Sequence, residues 1–133
     1  MKILLDTHIF LWALLNRGKL TENVVEILEN TENELFFSVA SSWEIAIKWA
    51  KGNLILPSEP KIFVPKAISE VGLKTLSITN KDVLSVADLP PIHKDPFDRL
   101  LITQANLNNL SILSNDHIFS DYDVNLIKFS FLR

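Results

Sequence analysis

The chain has no cysteine, which excludes disulfides, thiolate zinc sites and a cysteine nucleophile. Long apolar runs are missing as well. No stretch approaches the roughly 18 apolar residues of a membrane span, and Asp6 interrupts the N-terminal run Ile3-Leu4-Leu5 too early for a signal peptide. There is no basic excess: the formal charge is −3, so nothing pulls the whole protein toward nucleic acid. A nucleic-acid substrate would need metal ions or a local patch to supply the positive charge. No histidine pair has helical zinc spacing, and no serine sits in a nucleophile elbow. Linkers and low-complexity tracts are also lacking. With 133 residues, 47% of them hydrophobic, the expectation is one globular domain spanning 1–133, soluble, cytoplasmic and away from membranes.

What is present begins with KILLDTHIFLW, Lys2 to Trp12. Ile3, Leu4 and Leu5 form the short apolar run of a fully buried strand. Asp6 follows with no turn residue between, and Thr7 opens a largely apolar helical stretch to about Leu15. The carboxylate therefore falls where a buried strand ends and a helix begins, the edge at which open parallel sheets bind ligands. Burying a charge there is costly unless a cation or hydrogen-bond donors meet it.

Further along, Thr21 starts a second helix to about Asn30, with Val24, Val25 and Leu28 inward, and Glu34–Ser38 is the second strand. Ser41-Ser42-Trp43-Glu44 opens a strong helical pattern to Lys51, stopped by Gly52 and Asn53. A helix from Pro60 to Val71 requires Pro65 to lie in its first turn or to break it. Lys74–Ile78 is the third strand, and Thr79 caps a short helix to about Asp88. Asp95-Pro96-Phe97-Asp98 is a helix start, with Asp as cap and Pro at the first position. That helix ends near Asn108-Asn109, Leu110–Leu113 is the fourth strand, and Val124–Phe129 the last. Strands alternating with helices predict a parallel sheet with helices on both faces.

On such a sheet four acids meet at one edge. Asp6 ends strand one, Asp116 follows strand four, and Glu44 and Asp98 lie in the first turns of their helices. Four bare carboxylates in a small site raise one another's pKa values, and a divalent cation resolves the conflict. Oxygen ligands without thiolate favour Mg²⁺ or Mn²⁺, and such ions activate water and neutralise the leaving oxygen in phosphodiester cleavage.

Each residue also has a purely structural reading. Asp6 and Asp95 can be helix caps, Ser41 to Glu44 fits a capping box, Asp98 suits a helix dipole, and Asp116 can be a turn residue. Asp82, Asp88, Asp121 and Asp123 read as solvated. His8 packs or faces solvent, while His93 and His117 lie near carboxylates and within reach of a phosphate role. Trp12, Trp43 and Trp49 read as core or interface and not as base-stacking platforms. Arg99 has two open roles, pairing with a carboxylate or with a substrate phosphate.

Four segments, LLDTHIFLW, SSWEIAIK, HKDPFDRLLITQA and LSILSND, stand in this order and spacing. Together they resemble the PIN-domain family, and within it the VapC-type toxins of bacterial type II toxin–antitoxin pairs. The resemblance covers Lys2 to about Asp116. It implies a three-layer α/β/α fold around a central, mainly parallel sheet of about five strands, and a Mg²⁺ or Mn²⁺ site. It also implies endoribonuclease activity on an RNA substrate, inhibition by a cognate antitoxin, and a homodimer. Asp6, Glu44, Asp98 and Asp116 match the family's four acids in turn. Among them Asp116 is the least constrained, because Asp121 and Asp123 follow closely. Asp95 is an extra acid common to this branch, and Thr7 a polar neighbour that helps orient metal or water. Two other readings remain open: a non-catalytic module that keeps the fold and only pairs with a partner, and an aspartate-based phosphotransfer or phosphatase domain.

Overall fold

The N-terminal apolar run becomes the central strand of the sheet. In the computed structural model, which describes residues 1–127, β1 (Lys2–Leu5) pairs with β2 (Glu34–Ser38) on one side and β4 (Ser111–Leu113) on the other. β3 (Lys74–Leu76) adds beyond β2, and β5 (Leu126–Ile127) beyond β4. The order is β3-β2-β1-β4-β5 and every pairing is parallel. Residues 128 and 129 of the expected last strand lie outside the described residues.

Alternation splits β1 between two cores, as expected of a parallel strand covered on both sides. Ile3 and Leu5 pack with Ile9 and Phe10 of α1 (Thr7–Leu15), Val24 of α2 (Glu22–Glu29), Phe37, Ile45 of α3 (Val39–Ala50), and Val64 and Ala67 of α4 (Pro60–Val71). The Phe10 and Phe37 rings lie 4.1 Å apart within this layer. Leu4 faces the other way, against Ile112 and against Leu101, Ile102 and Ala105 of α6 (Pro96–Asn108). The three-layer α/β/α arrangement expected from the sequence is therefore present. None of the described helices is long and apolar enough to cross a membrane.

Three local expectations change. α3 begins at Val39 with Ser38 as its cap, accepting from the Ala40 N–H at 3.0 Å. Ser41 is consequently inside the helix, and the capping box from Ser41 to Glu44 does not form. Pro65 sits inside α4, beyond its first turn, without ending it. It lies on the exposed face, where water can take up the Lys61 carbonyl that the ring leaves unpaired. Gly72 then closes α4 in the left-handed conformation, φ 77°.

The third change concerns Asp82, which is buried and not solvated. It belongs to a capping box with Thr79 at the start of α5 (Asn80–Ser85) and accepts from Gln104 Nε2 at 3.1 Å. Gln104 also accepts from the buried Ser38 hydroxyl and donates to the Ser77 carbonyl at 3.2 Å. One amide thus ties the start of α3 to the start of α5. Gln104→Leu fills a similar volume but removes the bonds to all three partners, Ser38, Asp82 and the Ser77 carbonyl. The expected loss is about 1–3 kcal/mol of stability, measured as a lower denaturation midpoint at unchanged slope.

Candidate active site

Between β1 and β4 the chain switches direction across the sheet, and a crevice at the carboxyl ends of the strands follows. Asp6 and Ser114 follow directly after β1 and β4 at this edge. The Asp6 N–H continues the ladder to the Leu113 carbonyl at 3.1 Å, so its side chain leaves from a fixed backbone. Asp6 is 2% exposed. One carboxylate oxygen accepts the His8 N–H at 3.1 Å and caps α1; the other accepts the Ser114 hydroxyl. Ser114 Oγ in turn accepts the Asp116 N–H at 3.0 Å, and Asp116 caps the short 3-10 turn after it. Ser114 was not singled out from the sequence, although its place directly after a buried strand was a usable signal.

Thr7 donates to Ser41 Oγ at 2.7 Å, with both residues buried. This bond fixes α3 against the start of α1. Glu44 lies one turn beyond Ser41, so the same bond sets its distance from Asp6. Glu44 is 4% exposed and paired with Lys48 Nζ at 2.7 Å. Burial alone would lower the Lys48 ammonium. The hydrogen bond and charge of Glu44, with Asp95 and Asp98 behind it, outweigh that and raise it. Lys48 is the second residue that sequence reasoning passed over.

α6 delivers the remaining acids. Asp95 caps it, accepting from the N–H groups of Phe97 at 2.9 Å and Asp98 at 3.3 Å. Asp98 occupies the first turn. Burial, followed by the charges of Asp95, Asp6, Glu44 and Asp116, pushes its carboxyl up to about 8. Burial also raises Asp6. The Ser114 hydroxyl and the His8 side chain and N–H oppose the rise, and Asp116 adds to it. Five carboxylates from four stretches of chain therefore share one electrostatic neighbourhood.

An all-oxygen, thiolate-free set in this state has the donor chemistry of a hard dication. As the side chains stand, no three His, Asp or Glu among the described residues are placed to grip an ion together. Glu44 is held by Lys48 instead. Asp6, Glu44, Asp98 and Asp116 are the groups that would hold a cation, with Asp95 beside them.

Other expected residues lie elsewhere. The Arg99 guanidinium pairs with no described carboxylate. It donates to the carbonyls of Pro90 at 2.8 Å and Val86 at 3.2 Å and to the Tyr122 hydroxyl at 3.2 Å, so it braces the loop before α6. His93 pairs with Asp121 at 2.8 Å. Neither Trp43 nor Trp49 is core: they are 58% and 40% exposed.

The raised Asp98 carboxyl has a consequence for stability. The unfolded chain gives up this proton near 3.8, whereas the folded one keeps it to about 8. Stability therefore falls as pH climbs through that window. In chelator, Asp98→Asn is expected to melt above the wild type at about pH 8, with the gap closing toward about pH 4. Melting curves across that range check it. Asp6→Ala is expected to show no such gain, because it removes the α1 cap and strands the Ser114 hydroxyl.

A search of curated proteins by sequence gives no match. Among solved structures the fold is similar to VapBC2 from Rickettsia felis bound to a DNA fragment from its promoter, at TM-score 0.71 and 16% identity, covering 98% of this chain and 100% of that one. It is also similar to FitAB bound to the IR36 DNA fragment, at TM-score 0.65 and 17% identity, over 95% and 94% of the two chains. FitAcB from Neisseria gonorrhoeae follows at TM-score 0.60 and 19% identity, over 95% and 96%. At these identities the likeness is one of fold. The family model of the PIN domain matches residues 3–125, which span β1, the crevice and all five carboxylates, and this chain belongs to the PIN-domain family.

Proposed function

We propose that this protein is a Mg²⁺- or Mn²⁺-dependent endoribonuclease and the toxin of a toxin–antitoxin pair, working in the cytoplasm as a single-domain chain. The observation that carries the reading is the raised Asp98 carboxyl with Asp95, Asp6, Glu44 and Asp116 around it. A buried carboxyl pushed up by the acids around it is one whose repulsion a hard dication would relieve. Asp6, Glu44, Asp98 and Asp116 are the proposed ligands and Asp95 a supporting charge. A bound ion supplies an activated water and a counter-charge for the leaving oxygen. Ser114 and Thr7 act through the positions they impose on Asp6 and on α3.

The fold's similarity to VapBC2 and FitAB complexes supports an antitoxin partner, and the homodimer is an expectation from the family resemblance alone. An arginine-bearing segment laid over the carboxylates suits the site's charge. One observation favours a second reading, a non-catalytic binding module: the site's own Lys48 occupies Glu44, and no three acids among the described residues are placed to hold an ion together.

Two measurements separate the readings. Purified without partner and given structured RNA with Mn²⁺, the wild type is expected to cleave. Asp6→Asn and Asp98→Asn are expected to lose more than about a hundredfold, since even outer-shell partners of a metal site cost up to that much. In calorimetry the wild type binds Mn²⁺ and Glu44→Gln binds it more weakly. No cleavage and no Mn²⁺ binding by the wild type leaves the module reading.

A further inference from the structure

The overall charge is −3, yet one wall of the acid site is basic. A groove of about 420 Å³ runs from Glu44 along the end of α3 to the start of α6, and three lysines, Lys48, Lys51 and Lys94, line it against two acids, Glu44 and Asp95. Glu44 engages Lys48. The Lys51 and Lys94 side chains are exposed and have no hydrogen-bond or ion-pair partner among the described residues. Phe97 closes the groove on one side. Trp43 meets Phe97 edge to face, ring centroids 5.2 Å apart and planes at 79°, and keeps 58% of its surface in solvent. Trp43 adjoins the groove through Phe97, which lines it beside Glu44 and Asp95.

An exposed indole steadied by a second ring, next to two uncommitted ammonium groups, is the composition of a single-strand subsite. The ammonium groups follow phosphates, and the ring face takes a base whatever its identity. We propose that this groove binds single-stranded RNA, with Lys51 and Lys94 on the backbone and a base stacked on Trp43, adjacent to the phosphate presented to Asp6, Glu44 and Asp98. The proposal rests on the nuclease reading and names where its substrate lies. A basic antitoxin segment is disfavoured here, because the lysines repel the charge that the carboxylates attract.

The test uses a fluorescein-labelled RNA dodecamer and the full chain in chelator, so that binding is read without cleavage. Lys51→Ala and Lys94→Ala are expected to weaken binding and to flatten the plot of log affinity against log salt by about 0.7 per lysine removed. Trp43→Ala is expected to lose about tenfold, and Trp43→Phe to recover most of it. Mn²⁺ affinity is expected to match the wild type in both lysine variants, which places their effect on RNA and not on the acids.

A wild type that cleaves RNA while both lysine variants bind the dodecamer with unchanged affinity and salt slope overturns the groove assignment alone. A wild type that neither binds nor cleaves RNA overturns the nuclease reading beneath it. Tighter binding of a DNA dodecamer of the same sequence, or variants that lose a protein partner and keep RNA, assigns the groove to another occupant and also overturns the proposal.

Discussion

Negative charge confined at the carboxyl edge of the sheet is the constraint around which the structure is arranged. Desolvating a carboxylate is expensive, and placing several together adds repulsion to that cost. The fold offsets part of it with backbone. Asp6 and Asp95 stand at the N-caps of α1 and α6, Asp98 lies in the first turn of α6, and Asp116 caps the short turn after β4. Each sits where unpaired N–H groups and the positive end of a helix point outward. The structural and functional readings of these acids are therefore not rivals. Capping lets them remain at this edge, and on the proposed function their grouping there is what a cation would meet.

Glu44 is the exception that the same logic explains. It is the sixth residue of α3, too far along for the helix terminus to help, since that influence fades within the first turn. A buried carboxylate without N–H donors needs a cation, and Lys48 one turn later provides it at 2.7 Å. The position of Glu44 depends on a contact between side chains, the hydroxyl pair Thr7–Ser41, and on Ser38 and Gln104 at the start of the same helix. The buried hydroxyls of the site thus carry the geometry, while the carboxylates carry the charge.

Strand and helix patterns read well from the sequence wherever a single element determined them. β1, α1 and α6 fall at their expected ends because an apolar run, an Asp cap and an Asp-Pro start are local signals. The shared electrostatic influence of the acids on Asp98 was legible for a related reason: in a parallel sheet every strand end reaches the same edge. What stayed hidden depended on partners distant in the chain. Ser114 reaches Asp6 across 108 positions and Ser38 reaches Gln104 across 66, and neither serine differs locally from a turn or cap residue. Asp82 reads as solvated because Thr79, Asn80 and Lys81 before it are polar, yet Gln104 of α6 bonds it in the interior. Arg99 adjoins Asp98 in sequence but points along the helix surface into the carbonyls of Val86 and Pro90. Adjacent residues on a helix face different ways.

Net charge was the weakest guide to the partner, for a reason of length scale. At physiological ionic strength, charges more than about 8 Å apart at a surface are largely screened. A polyanion approaching the crevice therefore responds to Lys51, Lys94 and Lys48 at close range and hardly to the glutamates of α2 on other parts of the surface. The chain carries 16 acidic and 13 basic residues, a balance that leaves room for local separation of sign. Acids gathered in the crevice and lysines on its wall give adjacent zones of opposite potential. On the proposed function, a phosphodiester strand would be drawn to the second zone and repelled by the first until a dication neutralised it. A metal would then serve twice, once for the chemistry and once to let the phosphate pass from the lysines to the carboxylates.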